Sequence, residues 1–493
     1  MTRMLLRSGK DPFTPVVAEA TLTQDVFNSN SGNYLFQHAI WKSLLTPGTE
    51  IVANGTLSER ELPDEGDAKR INDGFDQFVI PLANAFRPDF AHRLENLTRL
   101  IENLTIPVTV IGVGAQAGVG LATEELDEMA DVVRAFVGAV LERSASIGVR
   151  GEFTKKYLMG LGFPDDTVDI IGCPSLFLHG HDLRIDKDPT GINAESKLAL
   201  NLTPEVPGIG AFALQQAAAY PNLTYIGQDG NDLRLMIWGI PFPHVTDPQV
   251  PVHMLHPLYQ ADRMRLFLDM WTWLDFLADR DFTYGTRFHG NVAALLARRP
   301  AMLLAHDSRT LELAEYHQMP HRVVPEFTDP IDAVALYDEV DFSAFNAELP
   351  RGFDRYLAFL EKNDLGHIWQ PGNENPEFAE RLAKAELLPA VKTLCSTDGT
   401  ELAARLQWLR NGQVFDGKRH KQAYEYPFPY PPRRDPATRL YKAEQATKKE
   451  IGELRARIRK LEGRTFKGLA RRALNHIRAG ARPKELPAAK SDG

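Results

Sequence analysis

The sequence predicts an α/β protein in which two Rossmann-like domains face each other across a cleft. Short apolar runs alternate with amphipathic helical stretches over residues 1–185, and after a polar, turn-rich segment the alternation restarts over residues 195–330. Strands that alternate with helices form parallel βαβ units. Ligands of such sheets bind beyond the carboxyl ends of the strands. We therefore expect an N-terminal domain, a second domain and a ligand site between them.

The elements of the first domain follow from the spacing of its apolar residues. The predicted helices are NYLFQHAIWKSL, FAHRLENLTRLIENL, EELDEMADVVRAFVGAVLERS and EFTKKYLMGLG. The third of these has acidic residues in its first turn, where the helix dipole favours them. The predicted strands are TEIVANG, FDQFVIPLANAF, IPVTVIGVGAQ, SIGVRG and TVDIIGCPSLFL.

The second domain repeats the pattern with shorter connections. Its predicted strands are KLALNLTP, NLTYIGQDG, DFTYGT and PAMLLAH, and its predicted helices are MWTWLDFLADR, NVAALLARR and SRTLELAEYH. The helix that follows DFTYGT begins close to Arg287 and His289. Neither side chain suits a core, so this junction is the first candidate site.

Beyond residue 330 the sequence pattern predicts three further segments. Residues 331–420 predict a mostly helical extension, and residues 424–435 predict an extended Pro/aromatic spacer. Residues 437–493 predict a short coiled coil with a basic tail. The heptad positions are Leu440, Thr447, Leu454 and Leu461, with Ile451 and Ile458 between them. This seam predicts a homodimer.

The formal net charge of -9 excludes a general nucleic-acid binder. The charge is unevenly distributed, because residues 437–484 hold 15 Lys and Arg but only 4 Asp and Glu. Basic residues opposite an apolar stripe favour peripheral contact with an anionic membrane. A solvated helix, or one docked on the acidic body, explains the same pattern.

Cellular location and metal content are expected from absences in the sequence. No signal-peptide core and no apolar run of membrane-spanning length is present. Cys173 and Cys395 form neither a disulfide framework nor a metal-binding pattern. We expect a cytoplasmic protein, at the inner face of the membrane if the tail binds there, with no metal and no cofactor.

The stretch GTRFHGN has the residue types of an anion site with a proton donor beside it. A helix N-terminus presents unpaired N–H groups, Arg287 adds a fork of donors suited to carboxylate or phosphate, and His289 titrates near neutral pH. An Arg/His pair that only caps the turn is the simpler alternative, since short motifs match often by chance.

Three further stretches place polar residues at predicted strand ends or helix starts. FNSNSGNYL carries Asn30, Gly32 and Asn33, which suit sugar hydroxyls or an anion, although ordinary capping explains such clusters as well. SIGVRGEFT carries Arg150 and Thr154. LLAHDSRTLE carries His306, Asp307 and Arg309, of which Asp307 suits a helix cap.

Taken together, these stretches resemble the polysaccharide pyruvyl transferase family over roughly residues 25–325. The matching features are, in order, a strand that ends in an Arg, a Thr in the next helix, a strand that leads to a small-residue/Pro turn, a later Arg-x-His, a Pro before the next strand and an Asp before a basic residue. Here these features are Arg150, Thr154, Pro174, Arg287, His289, Pro300, Asp307 and Arg309. Two departures stand out: Asn33 replaces the family's usual Asp, and LANAFRP stands where many members have a glycine-rich loop.

The resemblance implies transfer of a pyruvyl group from phosphoenolpyruvate to two hydroxyls of a sugar, which forms a cyclic ketal on a glycan or lipid-linked acceptor. It implies that Arg287, Arg150, Arg309 and Thr154 bind the donor and that Asn30, Gly32 and Asn33 bind the acceptor. Phosphoenolpyruvate is then the donor substrate, and no cofactor is implied. His289 is the expected general acid, and the alternative is that it only binds phosphate.

Two other functions stay open at this point. A nucleotide-sugar glycosyltransferase of the GT-B type shares the expected architecture, and fold alone does not decide function. A non-catalytic scaffold that works through the C-terminal tail would explain the two departures from the family pattern.

Overall fold

In a computed structural model, the chain is described at residues 1–60, 62–116, 123–328, 330–413, 426, 428–430, 451–452 and 455. Met1–Pro431 forms one compact unit and Pro432–Gly493 a second. All of the strands and helices given below belong to the first unit.

The N-terminal part of this unit is built on a parallel sheet. Its strands are β1 (Thr2–Leu6), β2 (Thr49–Ala53), β3 (Gln77–Pro81), β4 (Asn84–Phe86), β5 (Val108–Ile111), β6 (Gly114–Ala115), β7 (Ile147–Val149) and β8 (Val168–Ile170). Four of them form a sheet in the order β2-β1-β3-β5, while β4 pairs with β6 and β7 with β8. Every one of these pairings is parallel.

The sequence predicts no strand at β1, although this strand lies inside the sheet. The strand is only five residues long, and its first two residues are exposed. Met4, Leu5 and Leu6 are buried and pair with β2 on one side and β3 on the other. An apolar stretch of three residues is too short to stand out by periodicity, so its neighbours in the sheet decide its conformation.

The helices of this part are α1 (Ala18–Gln24), α2 (Gly32–Leu44), α3 (Glu65–Gly74), α4 (Ala91–Glu102), α5 (Ala130–Leu141) and α6 (Glu152–Gly160). The predicted helices around α2, α4 and α6 are present. The stretch EELDEMADVVRAFVGAVLERS, predicted as one long helix, begins instead as a 3-10 helix, Thr123–Met129, which precedes α5.

The following part contains a six-stranded parallel sheet in the order β11-β10-β9-β12-β13-β14. Its strands are β9 (Leu198–Asn201), β10 (Thr224–Gly227), β11 (Met264–Leu266), β12 (Phe282–Gly285), β13 (Ala301–Ala305) and β14 (His321–Val323). Its helices are α7 (Ile209–Ala219), α8 (Gly230–Trp238), α9 (Pro257–Gln260), α10 (Met270–Ala278), α11 (Phe288–Leu296) and α12 (Ser308–Tyr316). The protein is therefore an α/β protein with parallel sheets.

Both sheets reverse their strand order next to their first strand. From β1 the chain runs to β2 on one side and later to β3 on the other, and from β9 it runs to β10 on one side and later to β12 on the other. Connections that leave adjacent strands in opposite directions open a crevice at the carboxyl ends of those strands. Arg7 follows β1, and Arg287 follows β12 by two residues.

The segment after β14 contains the helices α13 (Ala333–Glu339), α14 (Ser343–Lys362), α15 (Pro376–Lys384) and α16 (Gly399–Gln413). Most of the predicted spacer at 424–435 and of the predicted coiled coil and tail at 437–493 lies outside the described residues. Within the part of the chain that the structure describes, none of the helices has the length and apolarity that a membrane span requires. The proposed domain boundaries stay predictions.

Candidate active site

A cavity of about 800 Å³ lies where the carboxyl ends of both parallel sheets meet. Residues that follow β1, β3, β9, β10 and β12 all contribute to its wall. The structure brings six of the predicted site residues to this cavity: Asn30, Asn33, Arg150, Arg287, His289 and Arg309. Gly32 and Thr154 do not line it.

The junction between β12 and α11 presents Arg287 and His289. Gly285 ends β12 with φ of 144°, and a Cβ placed there would lie 1.8 Å from the carbonyl oxygen of Asn201. Only glycine permits this close approach of β9 and β12. The backbone N–H of Thr286 then donates to that same carbonyl at 2.9 Å, and α11 begins at Phe288.

His289 is held among apolar and thiol groups, and it is uncharged. Its ring stacks on Phe36 at a centroid distance of 5.7 Å, and its Nε2 lies 3.6 Å from Sγ of Cys173. Burial, assisted by the positive charges of Arg150 and Arg309, lowers the pKa of His289 to about 3. The imidazole is therefore neutral at pH 7 while no anion occupies the cavity.

Arg287 is fixed in place by an acidic residue that the sequence analysis did not single out. Its Nη2 donates to Oδ2 of Asp229 at 2.6 Å, and its Nε donates to the carbonyl of Leu202 at 2.7 Å. Burial alone would lower the pKa of Arg287, but the charges of Asp229 and Asp232 hold that pKa above its usual value. Part of the expected donor-binding charge of Arg287 is thus already compensated.

Arg150 is the least compensated cation near His289. Its side chain is 4% exposed, and its Nε donates to the carbonyl of Gly112 at 3.0 Å. Among the described residues, no carboxylate lies within 4.0 Å of its guanidinium. Burial lowers the pKa of Arg150 to about 10, so the group still carries its charge at pH 7. A buried cation of this kind is stabilised by a bound anion.

Arg309 completes the group of cations around His289. Its Nη2 lies 2.9 Å from Oδ2 of Asp307, and its side chain remains 30% exposed. Asp307 also accepts a hydrogen bond from the N–H of Thr310, which makes it the N-cap of α12. The capping role predicted for Asp307 is therefore confirmed.

Thr154 faces a carboxylate of the chain itself and does not line the cavity, and its contact with the donor stays a prediction. Its backbone N–H donates to Oε1 of Glu312 at 2.9 Å, and its hydroxyl donates to Oε2 at 3.2 Å. The same hydroxyl accepts from the N–H of Ala115 at 3.1 Å. Because Glu312 occupies the N-terminus of α6, Thr154 has no donor left for an anion in the cavity.

The turn before α2 is pinned to the loop that follows β10. The N–H of Ser31 donates to the carbonyl of Gln228 at 2.7 Å, and the N–H of Gly230 donates to the carbonyl of Ser29 at 3.2 Å. The amide of Asn33 donates to the carbonyls of Phe27 and Asn28 at 3.1 and 2.9 Å. A carboxylate cannot donate, so an Asp at position 33 would not make these two bonds.

Gly32 makes room for His289 and does not face the cavity. A Cβ at position 32 would lie 2.9 Å from Cβ of His289 and 3.0 Å from its Nδ1. The start of α2 therefore packs directly against the imidazole. The predicted role of Gly32 as an acceptor contact stays a prediction.

Sequence reasoning missed Asp229 and three further arginines of the cavity wall: Arg7, Arg87 and Arg93. Arg7 is paired with Glu59 at 2.6 Å. Arg87 belongs to LANAFRP, the stretch that departs from the family pattern. Arg87 could have been predicted from its position just beyond β4. Arg93 and Asp229 could not, because their sequence positions are those of ordinary helix and turn residues.

No group of three or more His, Cys, Asp or Glu side chains is arranged to hold a metal ion in the described part of the chain. The polar wall is instead dominated by guanidinium groups, which bind carboxylate and phosphate.

The chain matches one known protein family. The family described as polysaccharide pyruvyl transferase matches residues 57–308, just over half of the chain. The chain belongs to this family. The match contains Arg87, Arg150, Arg287 and His289, and it ends just before Arg309. The protein is thus an enzyme of the pyruvyl transferase type, and its family membership was correctly predicted from the sequence.

Solved structures resemble the chain only distantly. Staphylococcus aureus MnaA with UDP is 10% identical, with 87% of this chain and 100% of that chain covered and a TM-score of 0.35. Neisseria meningitidis UDP-GlcNAc 2-epimerase bound to UDP-GlcNAc is 13% identical, with 78% and 100% covered and a TM-score of 0.35. Anabaena HepE with UDP-glucose is 14% identical, with 78% and 100% covered and a TM-score of 0.34. No curated protein matches the chain.

Proposed function

We propose that this enzyme transfers a pyruvyl group from phosphoenolpyruvate to two hydroxyls of a sugar in a glycan or lipid-linked precursor, forming a cyclic ketal. One observation carries the choice of donor. Arg150 is buried in the cavity wall beside His289, and no carboxylate of the described part of the chain lies within 4.0 Å of it. Phosphoenolpyruvate brings a carboxylate and a phosphate, about three negative charges near neutral pH.

The donor would lie against Arg150 and Arg309, with Arg287 at the other side of His289. Guanidinium forks hold both oxyanions in a fixed orientation, which lowers the barrier by positioning and by electrostatic stabilisation. Because Nη2 of Arg287 donates to Oδ2 of Asp229 at 2.6 Å, the orientation of the other terminal nitrogen, Nη1, is fixed as well. Thr154 is left out of this set because Glu312 occupies it.

His289 would supply the proton in the first step. Protonation of the methylene carbon of the enol leaves a cationic centre at the carbon that bears the phosphate. A sugar hydroxyl attacks this centre and loses its proton, phosphate leaves, and the second hydroxyl closes the ketal and loses its own proton. One of the two released protons restores His289, and the other leaves with the phosphate. Burial lowers the pKa of His289 most, and the charges of Arg150 and Arg309 lower it further, so a bound trianion that neutralises those charges would raise the pKa of His289 again. Donor binding thus prepares the acid.

The wall on the α2 side would meet the acceptor. Asn30 and Asn33 line the cavity there, and backbone hydrogen bonds to residues 228–230 hold their turn in place. In this proposal the two sheets belong to two Rossmann-like domains that face each other across the cavity. The reaction needs no cofactor besides its donor substrate.

The remaining sequence predictions extend this proposal. A cytoplasmic enzyme with a basic tail on an anionic membrane would reach lipid-linked acceptors, and the heptads would join two copies into a dimer. Both features fall largely outside the described residues.

The proposal is tested by incubating the purified protein with phosphoenolpyruvate and a panel of glycans. Phosphate release that depends on a glycan, together with a gain of pyruvyl mass on that glycan, is the expected result. His289→Gln should abolish both signals without altering the melting temperature greatly. Consumption of a nucleotide sugar with phosphoenolpyruvate untouched would instead identify a glycosyltransferase.

A further inference from the structure

A second cationic surface lies on the same cavity wall, between the end of β4 and the first turn of α4. It consists of Arg87, Phe90 and Arg93, which we call the Phe90 patch. Both guanidinium groups lie over the Phe90 ring, at centroid distances of 5.9 Å for Arg87 and 5.4 Å for Arg93. All three residues line the cavity. The proposed pyruvyl transfer uses none of them.

Neither arginine of the Phe90 patch is compensated by a carboxylate within 4.0 Å among the described residues. Nε of Arg87 is buried without a hydrogen-bond partner, and Nη1 of Arg93 makes only a long contact of 3.4 Å to Oδ1 of Asn28. By contrast, Arg7, Arg287 and Arg309 each have a carboxylate partner. Asp89 stands in the same turn but forms no ion pair with Arg87 or Arg93.

The Phe90 patch adjoins the donor group but is separate from it. The charges that bear on His289 are those of Arg150 and Arg309, whereas Arg93 bears on Arg87 and contacts Asn28 in the turn before α2. Burial, followed by the charge of Arg309, lowers the pKa of Arg87. Within the Phe90 patch, Arg87 thus interacts electrostatically with Arg309 of the donor group, and Arg93 lies on the side where the acceptor is expected.

The size of the cavity leaves room for a second anion. Its volume of about 800 Å³ is far larger than phosphoenolpyruvate. Arg150, Arg309 and Arg287 are the cations assigned to the donor, and Arg309 and Arg287 are each paired with a carboxylate of the chain. Two further guanidiniums, which have no carboxylate within 4.0 Å among the described residues, remain for another oxyanion, and one of them has a buried unbonded Nε.

We propose that the Phe90 patch binds an oxyanion carried by the acceptor, a phosphate ester or a sugar carboxylate, so that the enzyme selects anionic over neutral acceptors. This inference rests on the proposed pyruvyl transfer, because it assigns the patch to the second substrate of that reaction. The acceptor anion would anchor the sugar on the α4 side while its hydroxyls reach toward His289.

Calorimetry on the full chain tests the patch directly. With phosphoenolpyruvate at saturation, the protein is titrated with inorganic pyrophosphate and, separately, with glucuronate. We expect one further equivalent of at least one probe to bind, and the preferred probe distinguishes phosphate from carboxylate. Arg93→Gln and Arg87→Gln should weaken this binding about ten- to a hundredfold and change the Kd for phosphoenolpyruvate less than threefold.

Two controls separate the patch from the donor site and from general charge. Arg150→Gln should weaken the binding of phosphoenolpyruvate and leave the binding of the probe unchanged. Arg99 is an exposed residue of α4, the helix of Arg93, and Arg99→Gln should change the binding of neither ligand. Arg93→Lys should restore part of the lost affinity because it keeps the charge.

Three outcomes would overturn the inference: no probe binding, probes that compete with phosphoenolpyruvate for one site, or an Arg93→Gln protein that loses both ligands equally. Arg93-dependent pyrophosphate binding by a protein that never binds phosphoenolpyruvate would keep the subsite and reject the proposed donor.

Discussion

The carboxylate of Glu312 accepts two hydrogen bonds from Thr154, one from its backbone N–H at 2.9 Å and one from its hydroxyl at 3.2 Å. Glu312 belongs to α12, which also carries Arg309, and Thr154 belongs to α6, which follows Arg150. This buried contact therefore joins the two elements that supply the cations beside His289.

Replacing Thr154 tests whether this contact is structural. Thr154→Val removes one donor to Glu312 and the acceptor of the Ala115 N–H, so we expect the free energy of unfolding to fall by about 1–3 kcal/mol. The Kd for phosphoenolpyruvate should change less than threefold, since Thr154 does not line the cavity. Urea unfolding and calorimetry measure both quantities, and Thr154→Ser, which keeps the hydroxyl, is the control. A large loss of donor affinity with unchanged stability would return Thr154 to the donor site.

The pH dependence of turnover reports the state of His289. With a pKa of about 3 in the empty site, the protonated fraction of His289 falls tenfold with each pH unit in the neutral range. If the protonated form is required, kcat/KM for phosphoenolpyruvate falls about tenfold per pH unit from pH 7 to 9, where the phosphate is already fully ionised. His289→Gln should be slower by about 10²–10⁴-fold and should lose this slope.

A flat profile in the wild-type enzyme over the same range would show that His289 acts as a neutral hydrogen-bond donor. That result would favour the alternative in which His289 only binds the phosphate.

The packing of Gly32 against His289 gives a third prediction. Gly32→Ala places a methyl group 2.9 Å from Cβ of His289, so the imidazole must shift. We expect kcat to fall about ten- to a hundredfold, because a small displacement of a catalytic group has a large effect on rate. Gly138→Ala, in α5 with nothing within 4 Å, should leave kcat unchanged and slightly stabilise the protein. Steady-state kinetics on both variants measure these effects. Equal activity of Gly32→Ala and the wild type would contradict the placement of His289.

The sequence predicted those parts of the fold and the site in which local pattern and tertiary structure agree. The parallel strands β9, β10, β12 and β13 stand out because each is an apolar run that ends in a turn. Arg287, His289, Arg150 and Arg309 stand out because each follows a strand or opens a helix. Their common cavity follows from the geometry of parallel sheets.

What the sequence could not predict depends on partners distant along the chain. The capture of Thr154 by Glu312 spans 158 residues, and the pairing of Arg287 with Asp229 spans 58. No local pattern indicates which carboxylate meets which cation. The close approach of Gly32 to His289 is likewise a packing detail, so a glycine expected to face a sugar instead lies behind the imidazole.

The most direct test of the account is the affinity for phosphoenolpyruvate of the wild-type protein and of Arg150→Gln, measured by calorimetry, with Arg99→Gln as the control. We expect one equivalent to bind to the wild type and to Arg99→Gln with the same Kd. Arg150→Gln, checked for an unchanged circular dichroism spectrum, should bind at least about tenfold more weakly, because a charged hydrogen-bond partner is lost. Absence of binding to the wild type, or equal affinity in Arg150→Gln, would contradict the claim that this buried guanidinium holds the donor.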